Sequence, residues 1–249
     1  MIPRVDVLGV GVSAINQETA LAEITSWIER REKRYVCVTG VHGVMESQRD
    51  PELLSIHNAS GLTTPDGMPL VWCAKYAGVE SVERVYGPDL MLNVSAASVE
   101  RGWTHYYYGA APGVPELLAE NLEARFPGLK VIGTHSPPFR ELSDDEARQI
   151  ADEINHKSPE IVWIGLSTPK QERWMARFRP LLDAPVLIGV GAAFDMHAGK
   201  LEQAPRWMQN SGLEWAFRLS REPKRLWRRY LVNNPTFVAG ILRRPPRIL

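Results

Sequence analysis

The stretch Ile161–Gly191, IVWIGLSTPKQERWMARFRPLLDAPVLIGVG, reads as strand, helix, strand. Ile161–Gly165 and Val186–Val190 are short apolar runs of strand length. Between them Lys170–Leu182 follows Pro169 with helical character. Two strands joined by a helix run parallel in one sheet, because a tight turn cannot make that connection. The same alternation extends in both directions. Trp103–Tyr108 and Leu129–Thr134 read as strands, with Pro115–Phe126 as the helix between them. Asp144–Lys157 reads as a helix opened by a capping box, Ser143 with Glu146. Upstream, Val5–Val12 is apolar and β-branched, Gln17–Arg31 is helical and Tyr35–Thr39 is a short strand. Helical turns are expected over Val44–Asn58, Gly67–Ala77 and Pro88–Arg101. The expected class is α/β and Rossmann-like: a largely parallel sheet covered by helices, over residues 1–199.

The pattern changes after Gly199. From Pro205 to Leu242 no strand is expected, and helical segments rich in Arg and Trp are interrupted by Gly212, Pro223 and Pro235. Residues 200–249 therefore read as a helical, basic-aromatic C-terminal appendage. Net charge is zero overall, yet residues 201–249 hold ten Lys/Arg and three acids, a balance of +7, which leaves −7 on the remainder. Such asymmetry points to an anionic partner for the appendage. The acidic remainder and the lack of a nucleic-acid motif argue against DNA or RNA. A hydrophobic content of 44% with 23% charged residues is that of a soluble globular chain. Two cysteines, Cys37 and Cys73, make no disulfide framework and read as small buried hydrophobes. The six histidines lack paired ligand spacing, so no metal site is expected. The first residues meet charge at once, without a signal-peptide core, and no run approaches the ~20 apolar residues of a membrane span. A cytoplasmic location is expected.

Thr64–Met91, TPDGMPLVWCAKYAGVESVERVYGPDLM, carries the sharpest chemical signal. Pro65 and Gly67 shape a tight turn around Asp66 where a strand should give way to a helix. Ligands bind at that rim in α/β folds, and a carboxylate there is a candidate general base. It is equally the residue type that caps the next helix. Arg84 suits a diphosphate or a sugar carboxylate, or an ion pair with Glu83 or Asp89. The Gly109 loop, Tyr108–Gly113, suits phosphate at a helix start or a plain βα turn. Gly191 and Asp195 lie in a second loop of small residues, where Asp195 can accept hydrogen bonds from a base or ribose. Lys170 and Gln171 open a helix, and Gln171 offers both a donor and an acceptor. Thr39 ends a strand at the same rim. In the appendage Arg218, Arg225 and Arg228 lie at steps of seven and three, so one helical face can carry them, with Pro223 as a potential kink. Interleaved Trp and Tyr residues suit an anionic membrane interface, a diphosphate or a dimer contact. Gly9-Val10-Gly11 matches the dinucleotide pattern only loosely, and a strand or hairpin is the preferred reading over NAD binding.

The motifs TPDG, ERVYGPDLM, Ser167–Glu172, Gly189–Asp195 and Gly212–Trp215 stand in the order found in the WecG/TagA/CpsF family of bacterial glycosyltransferases, which the chain resembles from about Val5 to Tyr230. The resemblance implies an inverting transfer of a sugar from a UDP-sugar to an undecaprenyl-diphosphate-linked sugar, in cell-surface polysaccharide or teichoic acid synthesis. It implies Asp66 as base, Arg218, Arg225 and Arg228 at a diphosphate, and Thr39, Arg84, Gln171 and Asp195 around the donor. It also implies a peripheral position at the inner membrane face and a capacity to self-associate. No Asp-x-Asp motif is present, so neither a cofactor nor a metal is expected. One departure stands out: His42 occupies the place where the family pattern has Asn, which leaves the donor sugar open among N-acetylmannosamine, its uronic acid and glucose. The alternative function is a non-catalytic peripheral membrane protein that binds a nucleotide-sugar.

Overall fold

The computed structural model describes residues 2–249. In chain order the elements are β1 Arg4–Val7, β2 Val10–Ser13, α1 Gln17–Glu29, β3 Arg34–Thr39, α2 Val41–Ser47, α3 Pro51–Ala59, β4 Leu62–Pro65 and α4 Met68–Tyr76. Then come α5 Gly87–Arg101, β5 Thr104–Gly109, α6 Val114–Arg125, β6 Lys130–His135, α7 Asp144–Lys157, β7 Ile161–Gly165, α8 Lys170–Phe178, β8 Val186–Gly189 and α9 Ala193–His197. The chain ends with α10 Arg206–Asn210, α11 Glu214–Arg221, α12 Pro223–Leu231, α13 Asn233–Arg243 and β9 Arg247–Ile248. Six strands form one parallel sheet in the order β4-β3-β8-β7-β5-β6, so the α/β, Rossmann-like expectation holds. The chain divides into two compact units.

The second unit spans Glu18–Cys37 and Gly87–Leu201 and holds the strand–helix–strand stretch from which the fold was read. β7 pairs in parallel with β5 and with β8, and β8 with the first four residues of β3. The inner strands β7 and β8 are apolar and buried along their whole length, as parallel strands covered by helices on both faces are, whereas the edge strand β6 is half-buried. Tyr106, Tyr107, Tyr108, Trp163, Phe178 and Phe194 are fully buried. The expected capping box on α7 is present, with Glu146 N–H on Ser143 Oγ at 3.2 Å and Ser143 N–H on the Glu146 carboxylate at 2.9 Å.

The first unit gathers residues 2–17, 38–86 and 202–249. The Gly9 motif is a hairpin: β1 and β2 pair antiparallel around Leu8 and Gly9, both at positive φ. Two left-handed residues match the twist of the flanking strands, and no helix opens in the motif. The helical run expected over Val44–Asn58 is two helices, because Asp50 caps a new one, accepting from Glu52 N and Leu53 N with Pro51 at its first turn. Val5, Val7, Val10 and Val12 of the hairpin pack with Leu70, Val71, Ala74 and Phe237 of α13, so the last long helix of the chain contributes to this core. The appendage is not wholly helical. β9 adds to the outer side of β1, pairing Val5 with Ile248 and Asp6 with Arg247. A two-residue strand leaves no periodicity to read, and Pro245 and Pro246 before it speak against one. Asp6, almost fully buried, anchors this end through Arg244 at 2.6 Å and the Gly9 N–H at 2.6 Å. No helix among the described residues is long and apolar enough to cross a membrane.

Candidate active site

Asp66 lies one residue beyond β4, and its N–H donates to the Thr39 carbonyl at the end of β3, 3.0 Å away. That bond fixes the turn to the strand edge. The cap position of α4 belongs to Gly67, with Pro69 in the first turn, so the local argument for Asp66 as the cap does not hold. Gly40 leaves its side of the Asp66 carboxylate open, since even an added Cβ would stand 4.0 Å from Oδ2. Asp66 is half-buried at the C-terminal ends of two adjacent strands.

Arg84 pins the same turn. Its Nε donates to the Asp66 carbonyl, and its terminal nitrogen forms an ion pair with Glu214 at the start of α11. The guanidinium also stands 4.0 Å from the centre of the Tyr86 ring, and the Tyr86 hydroxyl donates to the other Glu214 oxygen at 3.3 Å. Burial works against the Arg84 charge, but the Asp66 and Glu214 carboxylates more than offset it and hold the guanidinium above its ordinary pKa. The Tyr86 phenol is pushed up, first by burial and then by Glu214 and Asp66, so it stays a donor. The partner of Arg84 is thus Glu214 rather than Glu83 or Asp89. Local sequence gives no sign of this pair, whose members stand 130 residues apart.

The appendage sends two further guanidiniums to this cluster. α11 and α12 are separate helices that break at Glu222 and Pro223, so Arg218, Arg225 and Arg228 share no continuous helical face. Proline lacks the N–H that would continue α11. Arg218 is half-buried. Burial opposes its charge, but Tyr230, Glu214, Tyr86 and Asp66 raise its pKa on balance. Arg229, which sequence reasoning missed, is half-buried too. Burial first, then Arg218 and Arg225, lowers its pKa, while Tyr230 and Asp66 pull the other way. The Nε of both arginines is buried with no hydrogen-bond partner among the described residues. Two neighbouring cations whose Nε donors have no partner among the described residues suit an anion. Arg225 and Arg228 are exposed: Arg225 is held by Glu222 at 2.6 Å, and Arg228 lies 5.9 Å from the Trp227 ring.

Behind Asp66 runs a buried polar chain. His57 Nδ1 faces the Leu53 carbonyl at 3.0 Å, which only accepts, so Nδ1 carries the proton. Nε2 then accepts from the Thr39 hydroxyl at 3.1 Å. Burial lowers the His57 pKa to about 4, which keeps the ring neutral. Thr39 is 2% exposed. With its proton given to His57, its oxygen meets any other group as an acceptor. His42 Nδ1 accepts from the Asn233 amide of α13 at 3.2 Å, and Asn233 is oriented by Arg49 on its oxygen at 2.8 Å. His42 is therefore engaged in seating the appendage helix.

The remaining candidates lie in the second unit, in loops after β5, β7 and β8. Gly109 has φ of +130°, and a Cβ there would stand 2.7 Å from the Gly165 carbonyl, so only glycine fits. Gln171 is 3% exposed; its Nε2 donates to Glu172 at 3.1 Å, and Thr168 donates to the same oxygen at 2.9 Å. The buried carboxylate thus fixes the amide, and Gln171 Oε1 is left without a partner among the described residues. A Cβ on Gly191 would stand 3.4 Å from that oxygen and 3.1 Å from the Leu166 carbonyl. The missing Cβ lets the Gly191 backbone pass close to Oε1. Lys170 is exposed at the helix start, and Asp195 is half-buried, its carbonyl accepting from Lys200 and Leu201. Glu172 was not foreseen as a site residue, although it adjoins Gln171.

The model of the glycosyl transferase WecG/TagA/CpsF family matches residues 5–248. The chain belongs to this family. It is similar to an N-acetylglucosaminyldiphosphoundecaprenol N-acetyl-beta-D-mannosaminyltransferase of Bacillus spizizenii, 26% identical over 219 residues, covering 88% of this chain and 82% of the relative. It is also similar to the Bacillus subtilis protein of the same description, 24% identical over 230 residues, covering 89% and 87%. In this family member the acidic turn, the Arg84–Tyr86 segment and Glu214, far apart in sequence, meet in one cluster of carboxylates and guanidiniums.

Proposed function

We propose that this glycosyl transferase moves a sugar from a UDP-sugar to a sugar carried on a lipid diphosphate, with inversion. The observation that carries the reading is the half-buried Asp66 with two half-buried arginines, Arg218 and Arg229, that feel its charge and whose Nε donors have no partner among the described residues. The acceptor hydroxyl attacks the anomeric carbon as its proton passes to Asp66. The new C–O bond forms while the bond to the UDP oxygen breaks, and the electron pair leaves with the diphosphate. Positive charge held in place before the reaction stabilises the charge that develops there. Gln171 and the Gly191 loop receive a donor group of the nucleotide or its sugar. Arg225 and Arg228, at the surface, serve the membrane face or the acceptor diphosphate. No step in this scheme requires a metal. The names of the relatives support a lipid-diphosphate acceptor and make N-acetylmannosamine the first donor sugar to try.

The test is UDP release from a panel of UDP-sugars, with and without a prenyl-diphosphate-linked N-acetylglucosamine, by wild type and Asp66→Asn. We expect acceptor-dependent release from one donor. The variant should lose at least about 100-fold in kcat with UDP binding kept, as expected for loss of a general base. Full activity in folded Asp66→Asn removes Asp66 from the chemistry. UDP binding with no release from any donor favours a non-catalytic nucleotide-sugar-binding protein.

A further inference from the structure

The carboxamide of Gln171 has two ends of the same shape and opposite chemistry, a carbonyl that accepts and an NH2 that donates. Which end meets a ligand is decided by whatever holds the other. Gln171 is 3% exposed, and the next residue, Glu172, is fully buried. Glu172 Oε1 receives the Gln171 NH2 at 3.1 Å and the Thr168 hydroxyl at 2.9 Å. Thr168 therefore ties that oxygen to the loop that precedes α8. The backbone of Gln171 is fixed too, its N–H donating to the Ser167 carbonyl at 3.3 Å. At the end of β8 the amide packs against glycines. A Cβ on Gly189 would stand 3.1 Å from Gln171 Cδ and 3.3 Å from Nε2, and one on Gly191 would stand 3.4 Å from Oε1. A turned amide would set its carbonyl oxygen against the carboxylate oxygen, two buried acceptors facing each other. Hydrogen bonding and packing thus select one orientation. Gln171 Oε1, which has no partner among the described residues, is the end left over.

We propose that Glu172 is a positioning residue that sets the polarity of nucleotide recognition: by taking the NH2 of Gln171 it makes this position accept only, so the ligand group that meets it is an N–H or O–H donor of the nucleoside. The inference rests on the donor-site role proposed for Gln171 and goes beyond it in two ways. It excludes the ionised phosphates, whose oxygens only accept, so Gln171 does not hold the diphosphate. It also places the nucleoside, and not the transferred sugar, at Oε1. An acetamido N–H is present on some candidate sugars and absent from glucose, whereas uridine offers the uracil N3–H and the ribose hydroxyls whichever sugar it carries. Glu172 touches no substrate in this scheme and acts only through Gln171.

Calorimetric titration with UDP, N3-methyl-UDP and 2′,3′-dideoxy-UDP reads the polarity, on wild type, Glu172→Gln, Gln171→Met and the double variant. Wild type should bind UDP at least about tenfold more tightly than one of the two analogues, the loss expected for one ligand hydrogen bond. The analogue that suffers names the donor, uracil or ribose. Glu172→Gln keeps the shape but offers an NH2 as well as a carbonyl, so the Gln171 amide can turn. UDP affinity should fall by at least about threefold as the correctly turned fraction falls, and the penalty on that analogue should shrink with it. In the Gln171→Met background the same substitution should change UDP affinity less than about twofold, because nothing is left to orient. Equal losses in both backgrounds overturn the inference, since Glu172 would then act independently of Gln171. It is overturned equally by folded Glu172→Gln that binds UDP as wild type does, or by wild type that binds all three ligands alike. Should Glu172→Gln not fold, ligand-free wild type decides. The Gln171 NH2 signal in NMR, assigned by its absence from Gln171→Met, should show slowed hydrogen exchange, and exchange at the rate of an exposed amide overturns the inference. Turnover is read separately: the polarity without sugar transfer removes the reaction and keeps the role of Glu172, and transfer without the polarity does the reverse.

Discussion

Around Asp66, charged groups arrive from three distant stretches of the first unit: the TPDG turn, Arg84–Tyr86 and the appendage helices with Glu214, Arg218 and Arg229. Around Gln171, one strand–helix–strand stretch of the second unit supplies the contacts, and the charge it buries there is Glu172, with Lys170 exposed at the helix start. On the proposed reading the first place stabilises changing charge and the second reads a fixed pattern of donors and acceptors. Charge at the first depends on the appendage being seated, through Asn233 with His42 and Arg49 and through Asp6 with Arg244. The recognition place depends on glycines that keep backbone close and space empty. Different perturbations should therefore break them, and in different observables.

The largest effect expected from this contrast is within the appendage itself. Arg229→Ala should lower kcat/KM by roughly 100-fold, because it removes a desolvated, charge-assisted donor. Arg228→Ala, at an exposed stacked position, should cost less than about threefold on a soluble acceptor. Steady-state kinetics on both variants decides the matter. Equal losses would mean that burial beside Asp66 does not mark the working arginine, and the distinction drawn from the structure would fail.

A smaller effect is expected at Gln171. Gln171→Met keeps the length but removes both the partnerless acceptor and the donor to Glu172. Leaving the buried Glu172 carboxylate one bond short costs about 1–3 kcal/mol of stability, whereas losing a ligand hydrogen bond weakens binding by about tenfold. Thermal unfolding should therefore show a lower melting temperature, and UDP titration of the folded variant a lower affinity. Unchanged UDP affinity in the folded variant assigns Gln171 to packing.

The strands and loops of the second place, and the turn that carries Asp66 in the first, were legible in the sequence. Ile161–Gly191 is contiguous, so periodicity gave its strands, and Gln171 and Gly191 fell at the loops that a parallel sheet presents. Asp66 was legible for the same reason, since the Pro-Asp-Gly turn is a local feature. Glu214, Tyr86 and Arg229 were not, because their roles come from contacts over more than a hundred residues. The step of seven and three that joined Arg218 to Arg228 assumed one helix. The break at Pro223 changed which guanidinium faces inward, and Arg229 took the buried place.

The smallest effect concerns the neutral chain behind Asp66, and it is read in stability rather than turnover. His57 has an ordinary pKa of 6.5 when unfolded and about 4 when folded, the shift being due first to burial. Between those values the unfolded chain binds a proton that the native ring does not, so stability falls as pH drops through this window. The full shift corresponds to about 3 kcal/mol, of which most is lost by about pH 4. His105, wholly buried and lowered to about 3, acts in the same direction. Urea unfolding at about pH 7 and about pH 5 should show wild type losing stability on acidification. His57→Gln can still accept from Thr39, yet it should lose a substantial part of that slope and keep the share due to His105. A slope unchanged by the substitution would mean that His57 is not held neutral. The ring would then be free to donate to Thr39, and the Thr39 oxygen beside the Asp66 turn would change from obligate acceptor to donor. The pH profile therefore tests a hydrogen-bond direction at the charged cluster that has no counterpart in the second unit, where Glu172 fixes the amide by charge.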